Sequence, residues 1–394
     1  MLLNIPKLYI VKIAKWFMLT MPIIVPFYES NHLTGKDILL LQSIYSISTL
    51  LLEIPTGYFA DVVGRKTSIL AGSFLGVIGF SIYAIADGFL IFLIAEIVLG
   101  LGSSFVSGSD SAMLYDTLLQ KNKENEYLKQ EGRITSIGNF AEAIAGIASG
   151  FLATISLRLP FYFQIGVAML AVPAAITLVE PSVHKAQTKL KFSNILSIVR
   201  FSLVEQKKLR WYILLSSVIG AATLTMAWFA QFFFKSVDIP IAIYGVIWTA
   251  LNFTVGITAL YAFKIEQWVG RKSTIISICA VISVGFILIG LINSVYAFVV
   301  LFVFYVFRGL ATPVLKNYIN ELSPSDKRAT ILSIRNFIIR LTFAVIGPFI
   351  GWWNDFYSLS SALIVAGLIF SVFSLMILLV VNINSLNNKL LQLK

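Results

Sequence analysis

The sequence predicts an all-α polytopic membrane protein of twelve transmembrane helices in two pseudo-symmetric six-helix bundles. Three observations predict it. The 394 residues are 58% hydrophobic and only 12% charged, where a soluble domain carries about 25% charged residues. The apolar residues fall in runs near the roughly 20 residues that cross a bilayer core. A short glycine-arginine-lysine motif after the second run recurs after the eighth. This composition excludes a soluble globule, a disordered chain and a collagen-like fibre.

Taken in order, the apolar runs give spans at 6–28, 38–58, 67–86, 89–117, 133–154, 159–180, 211–235, 241–263, 273–293, 295–319, 329–353 and 359–383. The first run, from Leu8 to Tyr28, is too long for a signal-peptide core and has no small-residue cleavage site, so it reads as the first span. Very short turns, Ala86-Asp87-Gly88 and Asn293-Ser294, force antiparallel neighbours. The longest polar segment divides the chain into a six-helix bundle at 1–180, a linker at 181–210 and a second bundle at 211–394. Within the linker, 193–208 is amphipathic at helical period, with Ile195, Ile198, Val199 and Leu203 on one side. It is either a surface helix tethering the halves or a plain connector.

Charge sets the orientation. The net charge of +11 would suggest nucleic acid in a soluble protein; here it reports which side of the bilayer holds Lys and Arg. With the N-terminus inside, 21 of the 30 lie in inner segments, three (Lys36, Arg158 and Lys235) in outer segments and six within spans. Both termini are therefore expected in the cytoplasm, the chain crossing the cell membrane many times. No nucleic-acid partner is expected. The single cysteine, Cys279, excludes an internal disulfide, and His32 and His184 lie in loops without a ligand set, so neither metal nor cofactor is expected. With no HExxH, no GxSxG and no Cys/His pair, an enzyme is not expected.

The repeat carries more. Gly57-x-x-x-Asp61-x-x-Gly64-Arg65-Lys66-Thr67 follows span 2, and Gly270-Arg271-Lys272-Ser273 follows span 8, 206 residues later. Ser136-Ile-Gly-Asn-Phe140 is echoed by Ser333-Ile-Arg-Asn-Phe337 at an offset of 197. Two ordered echoes at nearly one offset argue for two halves of common origin. Glycine permits the tight turn, Asp61 suits the positive N-terminus of a neighbouring helix, and Arg65 and Lys66 suit an anionic inner surface. A phosphate-binding loop is excluded, because Arg65 interrupts the required spacing and helices flank the motif.

The motif resembles the signature loop of the major facilitator superfamily, and the resemblance covers the whole chain, including Glu53-Ile-Pro-Thr-Gly57 in span 2 and Ser107 to Asp116 in span 4. It implies that fold, with spans 1, 4, 7 and 10 lining a cavity and Asp61 docking near the start of span 11 when the inner side is closed. The second copy has Gln267 or Glu266 near the place of the aspartate, which implies the same turn with a weaker lock. Where many proton-coupled members carry arginine in span 4, this chain has Glu96 before Gly100; Arg308 stands near the half-related position of span 10.

Charges within spans usually face a cavity or a partner, and the alternative for each is a salt bridge that only orients helices. Glu96, Gly100, Ser103, Ser107 and Asp110 fall on one face of span 4, and Arg308, Thr312 and Lys316 on one face of span 10. Asp110 and Lys316 lie at similar depth and are expected to approach when the inner side closes. Lys12 and Lys15 share a face near the inner end of span 1. Glu142 neighbours Gly146 and Gly150, where close packing is expected. Arg335 is expected to meet Asp61 or Glu53 at an inner gate, and Arg340 lies deeper. Mid-span acids occur only in the first half, and the mid-span charges of the second half are all basic. The aromatic runs at Trp228–Phe234 and Phe302–Phe307 suit either a clamp on a flat or greasy substrate or lipid-facing bulk, and most are expected to face lipid.

The expected function is secondary active transport of a small amphipathic or anionic organic solute by alternating access, coupled to protons and directed outward. The alternatives are proton-coupled uptake of an organic anion or nutrient, and an uncoupled facilitator. The pathway residues are Lys15, Glu96, Ser103, Ser107, Asp110, Glu142, Arg308, Thr312, Lys316 and Arg340, with Asp110, Glu142 and Glu96 as proton carriers. The gate residues are Glu53, Gly57, Asp61, Gly64, Arg65, Lys66, Gly270, Arg271, Lys272 and Arg335. The expected partners are a small-molecule substrate, protons and membrane lipids, and the expected state is a monomer.

Overall fold

The computed structural model describes residues 4–123, 126–181, 192–324 and 327–391. Its fifteen α-helices among those residues are α1 (Asn4–Trp16), α2 (Ile24–Ser30), α3 (Gly35–Val63), α4 (Arg65–Ile85), α5 (Phe89–Val106), α6 (Ser109–Leu119), α7 (Tyr127–Ile155), α8 (Leu159–Ile176), α9 (Phe192–Arg200), α10 (Lys207–Ser236), α11 (Ile241–Val269), α12 (Arg271–Ile292), α13 (Ala297–Leu322), α14 (Arg328–Phe356) and α15 (Leu359–Leu391). Among the described residues there is no strand. Eleven helical segments are long and apolar enough to cross a membrane, and α3 makes a twelfth although it bends by 43° between Gly35–Glu53 and Pro55–Val63. The bend falls where Pro55 removes a backbone donor and crowds the preceding turn.

Two spans are interrupted. The first comprises α1 and α2 with an irregular stretch between them, and the chain resumes through a short 3-10 turn at Met21–Ile23 that begins beside Pro22. The fourth comprises α5 and α6, broken at Ser107 and Gly108, where Gly108 has φ +77°. The stripe from Glu96 to Asp110 therefore does not run along one continuous helix face: Glu96, Gly100 and Ser103 are on α5, and Asp110 starts α6. Elsewhere the ends follow their residues. Thr34 and Asp37 form a capping box at the start of α3. Pro160 opens α8, where its missing N–H is no loss.

The helices group into two compact units, residues 1–189 with 239–249, and residues 190–238 with 250–394. In the first unit α4 packs on α5 and α8, α3 on α5, and α1 on α7 and α8. Small residues allow the α4–α5 approach: a Cβ added at Gly72 would lie 2.6 Å from the carbonyl oxygen of Gly102. Close packing also occurs where expected beside Glu142, since a Cβ on Gly146 would lie 2.7 Å from the Thr249 hydroxyl. In the second unit α12 packs on α13 and α15, and α10 on α13, α14 and α15.

The aromatic residues of α10 are not lipid-facing. Trp228, Phe229, Phe232, Phe233 and Phe234 are all buried, as are Phe304 and Tyr305 on α13. Phe234 stacks on Phe298, and Phe233 packs against the same ring at a tilt. An all-round apolar helix fits the centre of a bundle as well as its rim, and α10 has neighbours on three sides. In the linker, 192–200 is helical, while 182–191 lie outside the described residues.

Candidate functional site

Glu96 is fully enclosed in the first unit, 4% exposed, and does not line an open stripe. Its carboxylate accepts hydrogen bonds from Tyr28 Oη at 2.8 Å, from Tyr83 Oη at 2.6 Å and from the Gln42 amide, all to one oxygen. The two tyrosine hydroxyls also contact each other. The donors come from α2, α3 and α4, and Phe92 packs edge-on against Tyr28. Among the described residues no lysine or arginine lies within ion-pair distance of this carboxylate. Gly100, one turn further, turns the same helix face towards α3: a Cβ there would lie 3.0 Å from Ser48. Burial of Glu96 follows from this close α3–α5 packing.

A second polar group surrounds the break in span 4. Lys12 Nζ is 3.8 Å from Asp110 Oδ2, and Lys15 lies within electrostatic reach of Asp110, Lys12 and Glu53. Ser107 donates to Glu53 Oε1 at 3.3 Å. Lys15, Glu53, Ser107 and Asp110 are thus brought together, with Lys12 as a member. Ser103 is half-buried on α5, and Glu142 is half-buried on α7.

The motif turn between α3 and α4 is built around glycine and two carboxylates. Gly64 has φ +129° and ψ 147°, a conformation costly for any residue with a Cβ. The carboxylate at the N-terminus of α4 is not that of Asp61, which is exposed. It is Glu180: its two oxygens accept from the backbone N–H of Arg65 at 2.8 Å and of Lys66 at 2.7 Å. Two donors left orphaned by the helix start are satisfied, and the negative charge sits at the positive helix end. The Arg65 guanidinium reaches α6, donating to the Asp116 carboxylate and to the Ala112 carbonyl oxygen at 2.6 Å. Gly57 faces open space.

The second copy repeats this arrangement. Gly270 has φ +86°, and Arg271 donates to Glu321 on α13 at 2.9 Å, with its guanidinium 3.7 Å from the Tyr318 ring centre. The Tyr318 hydroxyl donates to Glu266, and Asn317 braces Glu321 at 2.8 Å. Glu266, not Gln267, is the residue the turn engages. Lys66 is half-buried and Lys272 exposed.

On α13, Arg308 lies over the Tyr305 ring at 5.0 Å, Thr312 is exposed and Lys316 half-buried. Arg335 is 5% exposed. Its partners in the second unit are Ser216, bonded to Nε, and Asn336, whose Oδ1 accepts from Nη1 at 3.0 Å; no acid is among them. Arg340, five residues on, is half-buried.

Sequence reasoning missed Tyr28, Gln42 and Tyr83 around Glu96, and Glu180, Asp116 and Glu321 around the two turns. One signal was available for the last pair. Asp116 follows Arg65 by 51 residues and Glu321 follows Arg271 by 50, so superposing the halves on their motif arginines brings the two acids almost into register.

A bundle that keeps carboxylates and cations inside apolar spans is organised for passing polar solutes through a membrane, and the class it defines is a membrane transporter. The comparisons make the class specific: the model of the Major Facilitator Superfamily matches residues 10–345, and the chain belongs to that family. It is 20% identical over 358 residues to the uncharacterized MFS-type transporter YxaM of Bacillus subtilis, covering 87% of each chain. It is 24% identical over 161 residues to the quinolone resistance protein NorA of Staphylococcus aureus, a match spanning 41% of this chain and 40% of NorA. Its fold is similar to the crystal structure of the nucleoside transporter NupG, with a TM-score of 0.78 at 15% identity, covering 96% of this chain and 98% of that one.

Proposed function

We propose that this protein is a secondary active transporter that exports a small amphipathic or anionic organic solute, coupled to protons, by alternating access of its two halves. The observation that carries the coupling is the Glu96 cluster. When the carboxylate is ionised, both tyrosine protons point to it and none is left to bridge the two hydroxyls. A proton arriving on the carboxyl frees one tyrosine to bond the other, so the cluster has a place for one more proton. The donors around this carboxylate are neutral, and among the described residues no cation lies within ion-pair distance of it.

The family's gate logic supports alternating access, with the Gly64 and Gly270 turns as the elements that reset. Outward direction rests on the partial likeness to a resistance protein; the lysine and arginine bias supports cytoplasmic termini. The reading includes a monomer embedded in lipid, without a cofactor, its halves divided at the 181–210 linker. Uptake by proton symport is the second reading, favoured by the same cluster run in reverse.

The test uses purified protein in liposomes with a pH dye trapped inside. Ligands found by a thermal-shift screen of metabolites and drugs are added with and without a pH gradient. Ligand-driven proton movement is expected in the wild type and absent in Glu96→Gln, which should still bind ligand. Transport that ignores a protonophore sinks the coupled reading.

A further inference from the structure

Among the described residues, Lys316 and Arg335 of the second unit have no acid within ion-pair distance, and the described acids of that unit lie elsewhere. Glu205 pairs with Arg200 at 3.2 Å, Glu266 accepts from Tyr318, and Glu321 holds Arg271. Asp238 and Asp355 lie at the far ends of α10 and α14 from Arg335. Lys316 and Arg335 are close enough to repel each other. Lys316 stands six residues before the end of α13 and Arg335 seven residues after the start of α14, so both lie about 10 Å in from the same end of the unit. Arg335 is nine-tenths buried, and among the described residues two of its five N–H donors are engaged, by Ser216 and Asn336. Thr312, one turn from Lys316, and Asn336, beside Arg335, are exposed, so the pair is approachable from a polar edge.

Two like charges held together in an apolar bundle are unfavourable unless an anion joins them. A guanidinium with a free edge beside an ammonium matches an oxyanion: the fork takes two oxygens and the lysine neutralises the rest. We propose that Lys316 and Arg335 form an anion-binding site that takes the carboxylate of an amphipathic organic acid, with Thr312 and Asn336 at its rim. This deepens the transport reading by naming the substrate class, and it rests on that reading only for its role as cargo recognition.

The test is binding, not transport. The wild-type protein in nanodiscs of zwitterionic lipid is titrated with benzoate and with benzamide, its neutral isostere, by calorimetry. Benzoate is expected to bind and benzamide not. Lys316→Gln is expected to weaken benzoate about 10- to 100-fold, and Arg335→Lys, which keeps the charge and loses the fork, to weaken it less. Arg335→Gln is read only alongside these, since a buried arginine also supports folding. Equal binding of benzoate and benzamide, no binding of benzoate, or benzoate binding unchanged in Lys316→Gln overturns the proposal. Competition of benzoate by added phosphatidylglycerol in wild type but not in Lys316→Gln supports the site. Phosphatidylglycerol binding without benzoate binding assigns the cations to a lipid headgroup and overturns it. No proton gradient enters these measurements, so failure of the coupling reading leaves them intact.

Discussion

Arg65 and Asp116 form an ion pair that joins the start of α4 to α6, and Arg271 and Glu321 form its counterpart between α12 and α13. The pairs are alike in topology and unlike in burial. The first has side chains 21% and 13% exposed, the second 43% and 47%. Arg65 adds a carbonyl acceptor on Ala112, whereas Arg271 adds the face of Tyr318.

Burial decides what each pair contributes. Asp116→Asn leaves a mostly buried guanidinium without its counter-charge and is expected to lower stability by about 1–3 kcal/mol. Glu321→Gln removes an exposed pair and is expected to cost less than about 1 kcal/mol. Denaturation of both variants in the same detergent checks this, and equal losses would show that burial is not the deciding factor.

Glu180 supplies the second prediction. Glu180→Ala strips both acceptors from the Arg65 and Lys66 N–H groups and is expected to cost about 0.5–2 kcal/mol, the usual range for a lost N-cap. Glu180→Gln keeps one acceptor but loses the charge at the helix end, so its cost is expected to be smaller and to shrink further in high salt. A salt-independent difference between wild type and Glu180→Gln argues against the helix-end contribution.

How much of this was legible in the sequence depends on the range of the interaction. The spans were, because hydropathy is summed along the chain, and so were the turns at Gly64 and Gly270, because only glycine adopts those angles readily. The interruptions at Trp16–Met21 and Ser107–Gly108 were hidden inside apolar runs that hydropathy reads as continuous. The Glu96 cage was not legible at all: Tyr28, Gln42 and Tyr83 stand on three other helices, with no spacing that links them. Glu180, which caps α4 from the far end of span 6, was not legible either, because that contact is set by tertiary packing.

Two glycines separate packing from other uses. At Gly72 an added Cβ would meet the Gly102 carbonyl oxygen at 2.6 Å and Val106 at 2.6 Å; at Gly57 it would meet nothing within 4 Å. Gly72→Ala is expected to destabilise by about 1–3 kcal/mol through forced separation of α4 and α5. Gly57→Ala is expected to be neutral or to stabilise by up to about 1 kcal/mol, the helix-interior preference for alanine. Melting curves decide both. A transport loss in Gly57→Ala with stability intact would mark that position as one that works during the conformational change.

One buried side chain reaches the interruption of span 1. Gln164, fully buried on α8, accepts from the Leu19 N–H at 2.8 Å, while its Nε2 meets no acceptor among the described residues. Gln164→Leu therefore exchanges one orphan for another. It leaves the Leu19 N–H unpaired, a cost of about 1–3 kcal/mol, and removes an unpaired amide of similar cost. The global midpoint is expected to move by less than about 1 kcal/mol, the residue of two cancelling changes. The local effect does not cancel, because Leu19 loses its only described partner within the irregular stretch. Hydrogen exchange at residues 17–23 is expected to accelerate severalfold while the helices on either side keep their protection. Unchanged exchange there would show that α1 and α2 are held apart by packing alone, and a large fall in the midpoint would show that Nε2 is hydrogen-bonded in the membrane.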